Sequence, residues 1–275
     1  MTARDDTVTA HYGGGGLIGR IREALEAVGL DPEAVTPKDL APVDEFHSRG
    51  RQATRELAEL AAPADHEHVL DVGSGVGGQA RYLASTYGCR VTGVDLTASF
   101  CETATWLNVL TGLEDLVTFR QGSGTDLPFP DGAFDLAWTI QMQMNIEDKA
   151  RLYSEIHRVL RPGGRYVLQE LCAGDGGPCH LPAPWADRDE ISFLLAPDAL
   201  RETVEAAGLE ATEWRHTTAE AMAWYQEQNA KADAGASPLG IHIVMGANAK
   251  DKRANVERNY REGRLRQVMG AFSRP

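Results

Sequence analysis

A glycine-rich stretch, residues 69–78, has the residue types and the spacing of a ligand-binding turn. An apolar run that contains Asp71 predicts a buried strand, and four glycines follow it within six residues. Gly73 and Gly75 allow positive φ angles and a close approach of a ligand to the backbone, which a β-carbon would block. A helix that begins near Gly77 directs unpaired N–H groups at the same place. The turn therefore predicts a nucleotide-like ligand, and close strand–helix packing is the alternative explanation.

Asp95 ends the next apolar run, at a distance along the chain that allows it to bind the same ligand as this turn. Gly73, Gly75 and Gly78 fit the dinucleotide motif G-x-G-x-x-G, in which an acid about 20 residues later binds a ribose. At the end of a second strand, Asp95 is placed to accept hydrogen bonds from both ribose hydroxyls. The alternative role, capping of the following helix, suits Thr97 better. Together the two features favour a ribose-containing ligand and leave the cofactor open.

Landmarks further along the chain identify a family. The acid-G-x-G-x-G motif of residues 71–77 is followed in order by Gly93-Val94-Asp95-Leu96, Leu127-Pro128-Phe129, Phe134-Asp135-Leu136-Ala137-Trp138 and Leu160-Arg161-Pro162-Gly163-Gly164. Over residues 65–210 the chain resembles the class I S-adenosylmethionine-dependent methyltransferases. The resemblance implies that S-adenosylmethionine is the cofactor and that its methyl group passes by in-line displacement to a small-molecule acceptor. We expect cofactor contacts from Tyr12, Asp71, Gly73, Ser74, Gly75, Gly77, Asp95, Leu96, Gly122, Ser123 and Gln141.

Two positions depart from the family pattern. Many members carry an Ala-Asp pair beside the adenine, whereas this chain has Gly122-Ser123. We therefore expect a backbone contact to the adenine here, but no contact from an acidic side chain. Asn145 stands roughly where members place a histidine or another polar residue, which weakens the assignment of a histidine base. Gln141 follows the fourth predicted strand, at the rim where the sulfonium and the acceptor should meet.

Glu170 and His47 are the candidate catalytic residues. Glu170 lies at the end of the fifth predicted strand, at the edge of a parallel sheet where ligands bind. Its carboxylate is either a base with a raised pKa or the solvated end of a strand. His47 lies in the segment before the first core strand, where it either reaches the site or begins an exposed helix.

Two branches of the family resemble this chain outside the core, and they methylate different acceptors. One is the sarcosine/dimethylglycine N-methyltransferase type. The other is the prenyl-diphosphate C-methyltransferase type, which is similar at residues 153–155, 163–167 and 260–263. Methylation of an alkene leaves a carbocation, which needs aromatic faces and then a base. Glu170 and the aromatic residues of the expected roof suit that chemistry, so the sequence favours C-methylation of an isoprenoid, with N-methylation of a small amine as the alternative.

The roof aromatics and the cations have competing explanations. The aromatic residues either wall an apolar acceptor pocket or form the core face of a cap helix: Phe46, Trp185, Trp214, Trp224 and Tyr225. A diphosphate acceptor would need Arg49, Arg51 or a bound Mg²⁺, and Mg²⁺ is expected only for such an acceptor. Cys172, Cys179 and His180 lack a fourth ligand, so no metal site is predicted. A non-catalytic protein that binds the cofactor is a third hypothesis, against which the intact motifs count.

Composition excludes several classes of partner. The chain has 275 residues and a net charge of −13, which disfavours nucleic acid and anionic membrane surfaces. No apolar run is long enough to span a bilayer, and the first residues lack a signal-peptide pattern. We expect a cytoplasmic enzyme with a small-molecule acceptor and no nucleic-acid or membrane partner. A homo-oligomer is left open.

Alternating strand and helix patterns predict an α/β fold. We expect a doubly wound, Rossmann-like, seven-stranded and mostly parallel sheet with helical lid and cap segments. Strands are predicted near residues 68–72, 90–95, 117–121, 134–140 and 165–171, followed by two antiparallel strands at 209–216 and 265–272. Residues 1–62 are expected to form an N-terminal helical lid, with a mobile start at 1–15 and a hinge at Gly13–Gly16. Residues 63–275 form the methyltransferase core, with cap insertions near 172–196 and 217–262.

Overall fold

The structure, a computed structural model, describes residues 3–13, 16–235, 237–246 and 248–275. Its centre is one seven-stranded sheet in the order β3-β2-β1-β4-β5-β7-β6. Neighbouring strands from β3 to β5 run parallel, and β7 runs antiparallel to both β5 and β6. The strands are β1 His68–Val72, β2 Arg90–Asp95, β3 Val117–Gln121, β4 Phe134–Ile140, β5 Leu160–Ala173, β6 Glu210–His216 and β7 Leu265–Ser273. The predicted fold class is confirmed, and β5 begins five residues before its predicted start at 165.

Helices cover both faces of the sheet. Four helices precede β1: α1 Ala3–Tyr12, α2 Leu17–Ala27, α3 Pro37–Asp44 and α4 Gly50–Ala61. Four helices follow core strands: α5 Gly78–Tyr87, α6 Ala98–Leu110, α7 Lys149–Val159 and α8 Pro197–Ala206. The insertion between β6 and β7 is helical as predicted, with α9 Thr218–Gly235, α10 His242–Met245 and α11 Ala249–Arg261. Among the described residues, no helix is both long and apolar enough to cross a membrane.

One expectation about the N-terminus is wrong within the described residues. Residues 3–12 form helix α1, whereas the sequence predicted a mobile segment. Val8 of this helix is buried, because α1 packs against the residues between β5 and α8. Of the predicted glycine hinge, Gly14 and Gly15 lie outside the described residues. Whether residues 1–62 act as a separate lid stays a prediction.

Helices pack on both faces of the sheet, so a ligand can reach it only at an edge. Leu152, Ile156 and Val159 of α7 are fully buried against one face of the sheet, as their helical spacing predicts. Leu57 of α4 and Leu83 of α5 pack on the opposite face. Strand order reverses between β1 and β4, which leaves a crevice beyond their carboxyl ends. In open parallel sheets, this switch point is where ligands bind.

The N-terminal segment is docked directly on the glycine turn. A Cβ added to Gly78 would lie 2.3 Å from the backbone oxygen of Asp44, so only glycine permits this approach. Nη2 of the buried Arg81 donates to Oδ2 of Asp44 at 2.8 Å and to the carbonyl of Val76 at 2.6 Å. This ion pair ties α3 to α5, and it does so next to the crevice.

Substitution of Gly78 tests how tightly the segment is docked. Gly78→Ala is expected to lower the free energy of unfolding by about 1–3 kcal/mol, the usual cost of overpacking. Gly19→Ala in α2 is the matched control, because its added Cβ meets no heavy atom within 4 Å. That control should raise stability by about 0.5–1 kcal/mol, since alanine is the better helix former. Denaturant unfolding measures both, and an unaffected Gly78→Ala variant would contradict the close packing.

Candidate functional site

A cavity of about 540 Å³ opens at the carboxyl edge of the sheet. This volume falls in the range of about 300–1,000 Å³ that is typical of small-molecule sites. The residues at the carboxyl ends of four parallel strands line it: 73–76 after β1, 95–97 at the end of β2, 122–125 after β3 and 141–142 after β4. Residues of α1, α9 and α11 also contribute to its wall. The cavity therefore joins the predicted cofactor turn to the helical segments that were expected to roof it.

The glycine turn has the open backbone that its sequence predicts. Gly73, Gly75 and Gly77 adopt φ angles of +77°, +52° and +83°. A Cβ added to Gly75 meets no heavy atom within 4 Å, so free space lies beside this residue. Ser74 lines the cavity between the first two glycines. A ligand can therefore approach the backbone of this turn closely.

Two residues of the predicted cofactor set, Gly77 and Asp71, are not brought into the cavity wall. A Cβ added to Gly77 would lie 2.4 Å from the ring of Phe119, so this glycine serves strand–helix packing. Asp71 is buried, and its Oδ2 atom has no hydrogen-bond partner. Burial, with the nearby carboxylates of Asp95 and Glu45, raises the pKa of Asp71 to about 8. Both residues therefore lie behind the wall.

Asp95 lies in the wall at the position expected for a ribose acid. Its Oδ2 atom accepts a hydrogen bond from the Gly75 amide at 2.8 Å, and Oδ1 accepts from the Thr97 amide at 2.8 Å. Burial raises the pKa of Asp95 above its ordinary value, and the two amide hydrogen bonds oppose that rise. A carboxylate has about four acceptor positions, so two remain for a ligand. Leu96, Gly122 and Ser123 line the cavity beside it.

Gln141 directly follows β4 and adopts a left-handed conformation with φ of +49°. Its Oε1 atom accepts from the Ser48 amide at 3.1 Å, and its Nε2 atom donates to the Ser48 hydroxyl and, at 3.3 Å, to Oε1 of Gln267. Oε1 of the buried Gln267 also accepts from the Ser48 hydroxyl at 2.5 Å and from the Tyr260 hydroxyl at 2.8 Å. Gln141 lines the cavity, but its carboxamide is already engaged by the protein.

Tyr12 closes the cavity from the N-terminal side. Its hydroxyl donates to Oδ1 of Asn145 at 2.9 Å, and Nδ2 of Asn145 donates to the carbonyls of Trp185 and Ile191 at 2.8 Å each. The amide of Asn145 is thus fully used in holding the wall. Next to Tyr12, Nδ1 of His11 lies 3.0 Å from Oδ2 of Asp187. Helix α1 is therefore fastened over the cavity by polar contacts.

His47 is buried and reaches the wall, in contrast to an exposed helix start. Its Nε2 atom lies 2.9 Å from Oε2 of Glu45, and its Nδ1 atom lies 3.1 Å from the carbonyl of Ser48. Burial alone would raise the pKa of Glu45, but the His47 hydrogen bond and charge and the Arg51 guanidinium hold it below its usual value. Both ring nitrogens of His47 are engaged by oxygen atoms of the protein, and Nε2 also lies 3.3 Å from the Thr54 hydroxyl.

Glu170 is fully buried but is not brought into the cavity wall. Its Oε2 atom accepts from the amide of Met142 at 3.2 Å, and Met142 is the residue that faces the cavity. Burial raises the pKa of Glu170 to about 8, while hydrogen bonds and Lys149 oppose the rise. The carboxyl group therefore supports the turn after β4 from behind.

The cations proposed for a diphosphate are paired elsewhere. Arg49 contacts the carboxylate of Glu56, and Arg51 contacts that of Glu45. Neither arginine lines the cavity. In the part of the chain that the structure describes, no three His, Cys, Asp or Glu side chains come together as a metal site.

The roof contains most of the predicted aromatic residues, together with one further aromatic residue and one arginine that the sequence reasoning missed. Phe46, Trp185, Trp224 and Tyr225 line the cavity, whereas Trp214 packs 6.0 Å from Phe272 on the sheet. The missed residues are Phe193 and Arg253. Phe193 lies in a loop without a periodic pattern, and Arg253 belongs to the strongly charged helix α11. No local signal distinguishes Arg253 from its charged neighbours.

Comparison with known proteins places the chain among methyltransferases. The family described as "Methyltransferase domain" matches residues 70–168. An O-methyltransferase of Penicillium expansum, cnsE, is 30% identical over 215 residues, which cover 68% of this chain and 77% of that protein. The sarcosine/dimethylglycine N-methyltransferase of Halorhodospira halochloris is 28% identical over 74% of this chain and 73% of its own length.

Two further proteins are similar in a more limited way, one by the share of its length that matches and the other by its low sequence identity. The glycine/sarcosine/dimethylglycine N-methyltransferase of Actinopolyspora halophila is 31% identical over 63% of this chain, but the match spans only 31% of that protein. The geranyl diphosphate C-methyltransferase of Streptomyces coelicolor superposes with a TM-score of 0.73 at 20% identity, over 100% of this chain and 98% of that chain. That superposition shows a shared fold.

The buried Glu170 predicts a pH-dependent effect on stability. Its folded-state pKa is about 8, well above the ordinary value, so the unfolded chain loses this proton at lower pH than the folded chain. Stability from this group therefore falls by about 1.4 kcal/mol per pH unit between the two pKa values. Glu170→Gln removes that dependence. The free energy of unfolding of Glu170→Gln minus that of the unsubstituted protein should therefore be larger at pH 8 than at pH 5, by more than about 1 kcal/mol.

Denaturant unfolding at the two pH values measures this difference. Glu202→Gln on the exposed side of α8 is the control for loss of a carboxylate. A Glu170→Gln difference that is the same at pH 5 and pH 8 would show that Glu170 is already ionised in the folded protein.

Proposed function

Because this chain belongs to the class I S-adenosylmethionine-dependent methyltransferases that act on small molecules, we propose that it methylates the nitrogen of a small amine of the sarcosine/dimethylglycine type. The observation that carries the proposal is a single cavity that joins the glycine turn and Asp95 to an aromatic roof. Sequence similarity to two N-methyltransferases of glycine derivatives supports the choice of acceptor. Because the chain is also similar to an O-methyltransferase, methylation of an oxygen is the alternative that the experiment below must distinguish.

We assign the cofactor to the half of the cavity formed by β1, β2 and β3. The wall residues fit this role, because Asp95 retains two acceptor positions and the backbone beside Gly75 is open. When bound, S-adenosylmethionine supplies the methyl group for transfer. In this proposal Asp95 accepts hydrogen bonds from the ribose hydroxyls. Gly73 and Gly75, which lack a Cβ, let the cofactor approach the backbone closely. Ser123 contributes backbone contact only, since its hydroxyl interacts with Thr125 at 2.9 Å.

The acceptor occupies the aromatic half in this proposal. Methylation of an amine places positive charge on its nitrogen, and aromatic faces stabilise a cation by about 0.5–2 kcal/mol. Trp185, Trp224 and Tyr225 supply such faces. Helix α1 excludes water from the cavity, through the hydrogen bond from Tyr12 to Asn145. Orientation and water exclusion then account for most of the acceleration.

The positions of the titratable residues favour an amine over an alkene. An alkene acceptor requires a base that contacts the substrate, and a diphosphate requires cations. Glu170 lies behind Met142, His47 faces oxygen acceptors on both nitrogens, and Arg49 and Arg51 are paired. A tertiary amine needs no base, and a secondary amine releases one proton after transfer. The isoprenoid C-methylation favoured by the sequence therefore has less support than N-methylation.

Transfer of a labelled methyl group tests the proposal. The protein is incubated with S-adenosylmethionine that carries a labelled methyl group and, separately, with sarcosine, dimethylglycine, or geranyl diphosphate plus Mg²⁺. Mass spectrometry should find the label in the amines, with rates that increase as the pH approaches the pKa of the amine. Label in geranyl diphosphate and in neither amine would overturn N-methylation. Heat-treated protein gives the background.

A further inference from the structure

We propose that Arg253 binds the carboxylate of the acceptor and thereby directs its amine towards the cofactor. This inference rests on the function proposed above and names the group by which the acceptor is recognised. Among the described residues that line the cavity, Arg253 is the one arginine or lysine. It lies in α11, on the roof side, whereas Asp95 and the glycine turn belong to the sheet side. The two sites therefore mark opposite halves of one cavity.

Arg253 differs from the other arginines near the cavity because it lacks a carboxylate partner. Its Nε atom is buried without a hydrogen-bond partner, and no ion pair joins it to any residue that the structure describes. By contrast, Arg49, Arg51 and Arg81 are each paired with an acid. A half-buried cation without a counter-ion is unfavourable, so a bound anion would stabilise it.

The helix segment that carries Arg253 is fastened by the residues on either side of it. One residue earlier, Nζ of Lys252 lies 3.2 Å from Oδ1 of Asp187. Two residues later, Nδ2 of Asn255 donates to the carbonyl of Pro182 at 2.9 Å. Both contacts attach α11 to the loop that carries Trp185. The guanidinium also acts on the buried Tyr225: burial raises the pKa of the Tyr225 phenol, and Arg253 opposes that rise.

The charges of the wall favour a ligand with a single negative group. The other charged residues of the described wall, apart from His47, are acidic: Asp5, Asp44, Asp95, Glu147 and Asp148. Arg253 is therefore the place in this wall at which an anion would meet a permanently charged basic side chain. A guanidinium binds a carboxylate through two parallel hydrogen bonds, which also fixes the orientation of the ligand. One such cation matches a monocarboxylate amine, and it would leave most of the charge of a diphosphate unpaired.

Substitution of Arg253 separates acceptor recognition from cofactor binding. Arg253→Gln should raise the KM for dimethylglycine by about 10–100-fold, the usual effect of losing hydrogen bonds to a charged group. Its kcat should change little, and its Kd for S-adenosylmethionine should stay the same. The KM for N,N-dimethylethanolamine, which has no carboxylate, should also stay the same. Arg253→Lys keeps the positive charge but cannot form two parallel hydrogen bonds. Its KM for dimethylglycine should lie between those of the unsubstituted protein and Arg253→Gln.

Arg258→Gln is the matched control, because Arg258 lies on the same helix but pairs with Glu262 outside the cavity. Thermal unfolding confirms that the variants are folded. An unchanged KM for dimethylglycine in Arg253→Gln would overturn the proposal. A weakened Kd for S-adenosylmethionine with an unchanged acceptor KM would also overturn it, since Arg253 would then bind the carboxylate of the cofactor.

A binding measurement distinguishes failure of this inference from failure of the proposed function. Glycine betaine carries the same carboxylate and cannot be methylated on nitrogen. Its binding to the protein with S-adenosylhomocysteine present is followed by calorimetry. Betaine binding that is lost in Arg253→Gln supports the carboxylate site even if no amine is methylated. Absence of betaine binding to the unsubstituted protein, or equal binding to both proteins, contradicts it.

Discussion

The carboxylate of Asp95 holds together the two turns on which the cavity depends. One oxygen accepts a hydrogen bond from the amide of Gly75, in the turn after β1. The other accepts a hydrogen bond from the amide of Thr97, in the turn after β2. This arrangement keeps the glycine turn open and fixes its position at the point where the strand order reverses. Burial of the carboxylate is unfavourable, as its raised pKa indicates, and the two amide bonds offset part of that cost.

The wall of the cavity depends on residues that lie far apart in the sequence. Gln267 of β7 joins Ser48 from the N-terminal segment, Gln141 from the end of β4 and Tyr260 from α11. This buried network fixes the wall of the cavity, and it consumes polar groups that a catalytic mechanism could otherwise use. Glu170 and His47 serve the wall in the same way. The site therefore suits a reaction in which orientation and exclusion of water matter more than proton transfer.

Local patterns predicted the sheet, the main helices and the position of Asp95, because each depends on a few consecutive residues. The direction of Glu170 was not recognised, although period-two alternation puts it on the face of β5 that carries Tyr166 and Leu168, towards α7 and α8. The packing role of Gly77 depends on Phe119, about 40 residues later in the chain. Arg253 becomes a site residue only because α9 and α11 pack together beside β7. The roles of Gly77 and Arg253 arise from tertiary contacts, for which one sequence gives little signal, whereas the direction of Glu170 follows from strand alternation.

In the proposed site Asp95 and the glycine turn bind S-adenosylmethionine, and calorimetry measures the affinity that Asp95 contributes. Asp95→Asn keeps the shape of the side chain but removes its charge. We predict a Kd about 10–100-fold higher, because hydrogen bonds to a charged group contribute about 1.5–3 kcal/mol. Asp126→Asn, an exposed acid outside the cavity wall, should bind the cofactor normally. An Asp95→Asn protein that is folded and binds S-adenosylmethionine with unchanged affinity would show that Asp95 does not hold the cofactor.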